Sequence, residues 1–396
     1  MPGFEFFGDK ERKEVNDVLN SGVLMRYGFD TKRSDWKAIE LEKALAERMN
    51  VAHAHLVSSG TAALTVALIS AGIGSGDEVI MPTFTFVASF EAILSVGAVP
   101  ILVDIDDTLG LEATAVEKAI TKRTKAIMTV HMCGSMVDLA PLQILCKKHK
   151  LKLIEDACQA IGGSYKKKPL GSIGDIGCFS FDYVKTITCG EGGAIITNNK
   201  KYYLNADNFS DHGHDHLGSD RGAEKHAFIG YNFRISELHA AVGLAQIKRL
   251  DSFIEIQKKH YNILVASLEN ISEVEFRRIP KGGEQNYSFL SFFLPTNNTT
   301  KKVHKALIDA GIDATFYWYD NNWHYHRKWN HLKHLKTLSY YSNAIYDNLP
   351  NYDKCDFSAS DKIISRTISC LIKLSWTDDE VKNRAQKMAE VIKANI

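Results

Sequence analysis

A lysine placed after a buried strand and before a glycine-rich turn can present a reactive amine, and Lys185 has that setting. It lies in Phe179-Ser180-Phe181-Asp182-Tyr183-Val184-Lys185-Thr186-Ile187-Thr188-Cys189-Gly190-Glu191-Gly192-Gly193, where an apolar strand ends and a hydroxyl precedes the lysine. Upstream, Leu151-Lys152-Leu153-Ile154-Glu155-Asp156-Ala157-Cys158-Gln159-Ala160 is a second apolar strand that ends in acid. A strand-end carboxylate, a strand-end serine and a lysine on the next loop are the parts that hold pyridoxal phosphate. A neutral lysine forms a Schiff base with the cofactor aldehyde and, once displaced by substrate, can shuttle protons. The combination points to an amine-transfer enzyme.

Pyridoxal chemistry asks the protein for an amine, an electron sink, a phosphate cradle and a stacking surface. Asp156 is the carboxylate that keeps a pyridine nitrogen protonated, so that the ring accepts electrons. Alone it would read better as a helix cap; beside Lys185 it does not. Glu155 is the adjacent alternative, with its side chain on the opposite face of the strand. Ser58-Ser59-Gly60-Thr61-Ala62-Ala63-Leu64 joins a strand to a helix through small residues, and exposed amides at a helix N-terminus bind phosphate. As an isolated motif that turn is weak; Ser180 adds a hydroxyl from a neighbouring strand end. Phe84 and Phe86, just after a strand, offer a ring to lie on the cofactor, although at least one of them belongs to the core.

These residues need a frame. Short apolar strands alternate with helices through the first two thirds: His53 to Ser58, Glu78 to Met81, Pro100 to Val103, Ala126 to Val130, Lys152 to Glu155, Gly177 to Phe181 and Gly193 to Thr197. Uniformly apolar strands separated by helices predict a mostly parallel, seven-stranded sheet covered on both faces, with ligands outside the carboxyl ends of the strands. A helix from Ser236 runs past Leu250, with Ser236 available as its cap. Beyond it, a strand at Tyr287 to Leu294, a helix at Thr300 to Ala310 and a last helix with Val381, Ala385, Met388 and Ile392 on one face predict a smaller α+β domain. The division expected is 1–250 and 251–396.

Length and composition agree. The 396 residues suffice for a large core and a second lobe, and a net charge of +1 gives no reason to expect nucleic acid or an anionic membrane. No apolar stretch reaches membrane-spanning length, about 20 residues. The N-terminus does not read as a secretory signal. Seven scattered cysteines without a Cys-x-x-Cys pair fit reduced thiols in a cytoplasm. Fifteen histidines invite a metal reading, but His212, His214 and His216, or His324, His326, His331 and His334, match no helical His-Glu-x-x-His or Cys-paired site, so no metal is expected. Trp323 to Lys336 reads equally well as a mobile lid or a solvated helix face.

The same segments, with Gly76-Asp77-Glu78-Val79-Ile80, Gly97-Ala98-Val99-Pro100, Val103-Asp104-Ile105-Asp106 and Gly230-Tyr231-Asn232-Phe233-Arg234-Ile235-Ser236-Glu237-Leu238-His239-Ala240-Ala241, resemble the sugar aminotransferases of the DegT/DnrJ/StrS type. The matches run in order from about residue 36 to 265. The resemblance implies the aspartate aminotransferase-like fold (fold type I), pyridoxal 5′-phosphate as cofactor, and a homodimer with active sites at the subunit boundary. It implies Lys185 as the Schiff-base lysine, Asp156 as the pyridine partner, and Gln159 near the ring hydroxyl. Ser180, Gly60 and Thr61 fall to the phosphate, Phe86 to the stacking position, and Asn232 to the neighbouring subunit's phosphate. Lys185 argues against the dehydratase branch, which carries histidine there.

The chain departs from the family pattern at Phe316 to Tyr325, where most members have Tyr-x-Pro-x-His, and at Leu374-Ser375-Trp376-Thr377, which replaces Leu-Pro. Val23 to Asp30 resembles the branch that aminates the terminal carbon of a 3-deoxy-octulosonic acid, for lipopolysaccharide amino sugars. The expected reaction moves an amino group, with glutamate as the expected donor, to a keto or aldehyde carbon of a sugar. A nucleotide-linked keto-hexose is the alternative acceptor. A dehydratase or epimerase, and a non-catalytic regulator, are the rivals. Arg26, Arg234 and Arg327 are candidates for a donor-carboxylate clamp.

Overall fold

The computed structural model describes residues 3–29, 31–218 and 220–396. Asp30, which closes the Val23 to Asp30 run, and Met1 and Pro2 at the start lie outside the described residues. The main sheet holds β1 (His53–Val57), β2 (Glu78–Pro82), β3 (Val99–Val103), β4 (Thr124–Val130), β5 (Lys152–Asp156), β8 (Ile176–Ser180) and β9 (Gly193–Thr197). Two-residue strands β6 (Ser164–Tyr165) and β7 (Lys168–Pro169) fall between β5 and β8. The spatial order is β1-β9-β8-β5-β4-β2-β3. From β8 through β3 every pairing is parallel, and β9 runs antiparallel to both its neighbours. A parallel sheet buries both faces, and every residue of β2, β8 and β9 is buried.

Helices α1 (Asp9–Ser21), α2 (Lys37–Met49), α3 (Gly60–Ser70), α4 (Val87–Ser95), α5 (Ala113–Ala119), α6 (Leu139–His149) and α7 (Lys200–Phe209) flank this sheet. One core lies between α3, α4 and the sheet, through Leu64, Val66, Phe90 and Ile93. A second lies on the other face, through Leu41, Leu45, Leu56 and Phe179. Most of α3 is apolar or small, and eight of its eleven residues are buried.

The long helix expected from Ser236 is two helices, α8 (Glu237–Ile247) and α9 (Leu250–Leu268). Lys248 and Arg249 interrupt the apolar stripe, and the Arg249 N–H folds back onto the Gln246 carbonyl at 2.9 Å. Ser236 does cap α8, accepting from His239 N. The smaller four-stranded sheet, in the order β10-β12-β14-β13, uses β10 (Glu275–Phe276), β12 (Phe289–Phe293), β13 (Thr315–Tyr317) and β14 (Thr367–Leu371). A further short strand, β11 (Gly283–Glu284), pairs with β6. Helices α9, α10 (Asn297–Asp309) and Asp378–Asn395 cover the small sheet around Leu264, Phe292, Val303 and Met388.

Candidate active site

Asp156 and Ser180 end neighbouring parallel strands, so both reach the carboxyl edge of the sheet. The alternation of β5 separates the two acids as the sequence implies. Glu155 turns away, accepting from the backbone of Gly171 (2.9 Å), Ile173 and Gly174 (2.6 Å each) and pairing with His131 at 2.9 Å. Asp156 turns to the ligand side, accepting from Ser89 Oγ at 2.8 Å and from Cys158 N at 3.2 Å. It is 5% exposed, and among the described residues no cation pairs with it. A buried carboxylate held by neutral donors alone suits a protonated ring nitrogen.

The loop from Phe181 to Gly192 closes on itself, with Phe181 N donating to Gly192 O at 2.8 Å and Cys189 N to Phe181 O at 2.9 Å. Gly190 takes φ +83°, a region that favours glycine. The N-terminal turn Gly3–Phe6 braces this loop. Gly3 N donates to the Lys185 carbonyl at 2.9 Å, and Phe4 stacks on Tyr183 at 4.4 Å. Lys185 is half-buried, and among the described residues its ammonium forms no ion pair. Its charge nevertheless reaches two neighbours. Burial and Asp156 push the Cys158 thiol well up, against an opposite pull from Lys185. Burial and then Lys185 push His324 down to about 3. The Lys185 charge is therefore felt at both Cys158 and His324.

At the start of α3, Ser59 caps the Ala62 N–H at 3.0 Å, which leaves the first-turn amides of Gly60 and Thr61 for a ligand. Thr61 is exposed. Gly193 is where β9 meets this turn: a Cβ there would stand 2.2 Å from the Ser59 carbonyl. Ser180 closes on the same turn, its Cβ 2.7 Å from where a Cβ on Gly60 would stand.

Phe86 ends the chain entering α4 and is 37% exposed. Its ring stacks parallel to Trp323 at 5.7 Å and lies 5.4 Å from His324. Phe84 is the core member of the pair, fully buried. Gln159 accepts from Cys133 N at 2.9 Å through its side-chain oxygen. Cys133 holds φ +56° in a turn that the sequence does not announce. Asn232 precedes Phe233, whose carbonyl accepts from Ser58 N at 2.8 Å. Asn232 is exposed, and its side-chain oxygen accepts from Arg234 N at 3.3 Å.

The segment Trp323 to Lys336 is neither a solvated helix nor a free lid. Thr85 N and Val87 N donate to the His324 and Trp323 carbonyls at 3.0 and 2.9 Å, and His326 N donates to Thr83 O at 3.2 Å. Tyr325 and Trp329 are fully buried. The aromatic residues that made the stretch ambiguous are the ones that anchor it. The three arginines considered for a carboxylate clamp are engaged elsewhere: Arg26 with Glu42 at 2.6 Å, Arg234 with Asp211, and Arg327 with Asp361. His216 bridges Asp207 and Asp211 at 2.8 and 2.9 Å. Leu374-Ser375-Trp376-Thr377 meets the N-terminal turn, with Ser375 N donating to Glu5 at 2.7 Å.

Three residues of this site escaped the sequence reading. Thr85 and Ser89 flank Phe86 with the four-residue spacing that places side chains on one helical face, and that spacing could have drawn notice. His324 has no such signal, because its contacts with Thr85 and Phe86 join segments far apart in the chain.

Fold and site together define a pyridoxal-phosphate enzyme of the aspartate aminotransferase-like class. Residues 7–389 match the DegT/DnrJ/EryC1/StrS aminotransferase family, and the chain belongs to it. It is a pyridoxal-phosphate-dependent sugar aminotransferase. GDP-perosamine synthase of Escherichia coli O157:H7 is 37% identical over 306 residues, 77% of this chain and 80% of that one. 3-Amino-5-hydroxybenzoate synthase of Amycolatopsis mediterranei is 34% identical over 320 residues, 79% of each chain. The crystal structure of an aminotransferase from Psychrobacter cryohalolentis superposes with a TM-score of 0.85 at 25% identity, covering 98% of both chains. Among the described residues, no helix is long and apolar enough to cross a membrane.

Proposed function

We propose that this enzyme carries an amino group from glutamate to a keto or aldehyde carbon of a sugar, with Lys185 as the reactive amine. When bound, pyridoxal phosphate supplies an aldehyde that captures amines and a ring that takes up the electrons released beside them. Lys185 Nζ holds the cofactor at rest and then moves a proton at the substrate carbon. Asp156 holds the proton on the ring nitrogen. The Gly60 and Thr61 amides and the Ser180 hydroxyl bind the phosphate, Phe86 covers the ring face, and the amino end of Gln159 meets the ring hydroxyl. The observation that carries this reading is that Asp156, buried and hydrogen-bonded by Ser89 and Cys158 N, ends the strand beside that of Ser180, whose side chain closes on Gly60.

We assign the phosphate role of Asn232 to a partner subunit in a homodimer, with residues 1–250 as the cofactor lobe and 251–396 as the smaller one. Ile229 and Tyr231, beside Asn232, are 84% and 59% exposed, as a surface awaiting a second copy would be. Our leading acceptor is the C8 aldehyde of a 3-deoxy-octulosonic acid, in a cytoplasmic route to lipopolysaccharide amino sugars. The relatedness to GDP-perosamine synthases favours the second reading, a nucleotide-linked keto-hexose. Incubation with glutamate and each carbonyl sugar in turn, with product mass read out, separates the two. Formation of 2-oxoglutarate in step with amino sugar supports transamination, and its absence with every acceptor overturns it.

A further inference from the structure

We propose that Ser89, backed by Thr85, is a positioning residue that keeps Asp156 charged and aimed; this rests on the reading of Asp156 as the ring-nitrogen partner. A serine inside a helix ordinarily returns its hydroxyl to a carbonyl of the preceding turn. Ser70 and Ser95 do so, donating to Val66 O at 2.6 Å and Ala92 O at 2.8 Å. Ser89 instead donates across the core to Asp156 Oδ2 at 2.8 Å. It has one proton, and that bond uses it. The 2.7 Å contact between Thr85 Oγ1 and Ser89 Oγ must therefore be a donation from Thr85. Direction is fixed along the chain Thr85 to Ser89 to Asp156.

Both hydroxyls are fully buried, where hydrogen bonds in series strengthen one another and donation to a carboxylate favours its charged form. The pair also brackets Phe86. Thr85 N is tied to the His324 carbonyl at 3.0 Å, so the segment that leads into α4 and carries Phe86 also seats the relay.

The test uses full-length Ser89→Ala, Ser89→Thr, Thr85→Val and Asp156→Asn enzymes loaded with pyridoxal phosphate. Cofactor affinity, absorbance of the bound cofactor against pH, thermal stability and single-turnover rate with L-glutamate are read for each. Loss of one hydrogen bond to a charged group predicts a rate about ten- to a hundredfold lower in Ser89→Ala, with a displaced pH titration. Thr85→Val moves both quantities in the same direction by less, and Ser89→Thr recovers them because it keeps the hydroxyl. Wild-type titrations in both Ser89→Ala and Thr85→Val, beside a collapsed Asp156→Asn, overturn the relay alone. A wild-type rate and titration in Asp156→Asn overturn the Asp156 reading as well. Should Ser89→Ala fail to fold, Thr85→Val decides.

Discussion

A Cβ placed on Gly60 would stand 2.7 Å from the Cβ of Ser180 and 3.0 Å from its hydroxyl. Helix start and strand end therefore close on each other with no room for a side chain. Gly60→Ala must push Ser180 or the turn aside, at about 1–3 kcal/mol for overpacking. The expected result is roughly tenfold or more weaker pyridoxal-phosphate binding, read by titrating apoenzyme with cofactor, with the fold retained in circular dichroism.

His324, which packs 5.4 Å from the Phe86 ring, keeps a hydrogen-bond acceptor. Asn321 Oδ1 accepts from Trp323 N at 2.9 Å, so that end of the amide is the oxygen, and the His324 Nδ1 lying 3.0 Å away must carry the proton. That leaves Nε2 with its lone pair. A site built to accept from a hydroxyl loses it when the acceptor is removed. His324→Ala should raise KM for the sugar by about tenfold or more while leaving the single turnover with glutamate nearly unchanged. Equal damage to both halves would contradict a role on the sugar side.

The buried Arg26–Glu42 pair predicts a stability effect remote from chemistry. Glu42 also accepts from Leu56 N at 2.7 Å, so it holds both the N-terminal segment and β1. Glu42→Leu strands a buried guanidinium and should cost about 3–5 kcal/mol in urea unfolding. Adding Arg26→Met should recover a large part of that loss, since the pair is worth more than either charge alone.

Stability should fall on both sides of neutral pH for different reasons. Burial works against a charged His216, yet Asp207 and Asp211 outweigh it and hold the ring up at about 9. Its contribution is complete below about pH 6.5, where the unfolded imidazole titrates, and is lost as pH rises through 9. His55 acts oppositely. Burial, then Arg26, holds it down at about 3, so the unfolded chain takes a proton that the fold refuses as pH drops below about 6.5. Melting temperature against pH should show both limbs. His216→Asn should flatten the alkaline limb only.

Much of this was written locally in the chain. Uniformly apolar runs gave all seven large-sheet strands, because a parallel sheet is buried on both faces and needs no alternation. That Asp156 and Ser180 end neighbouring strands was legible because each strand's boundaries are set by its nearest neighbours in sequence. What sequence did not disclose depends on contacts between distant segments. The break at Lys248 and Arg249 sits in a stretch with helical propensity throughout, and the docking of Trp323 to Lys336 relies on residues near position 85. The ion pairs of the three arginine candidates, to Glu42, Asp211 and Asp361, depend on how the chain folds back and carry no local signal.

The central claim is that Lys185 is the amine that bonds the cofactor. Borohydride reduction of the holoenzyme followed by peptide mass mapping tests it directly. The account predicts a pyridoxyl group on Lys185 in the wild type, and neither label nor turnover in Lys185→Ala. An unlabelled Lys185 peptide from active enzyme, or multiple turnover by the variant, would contradict it.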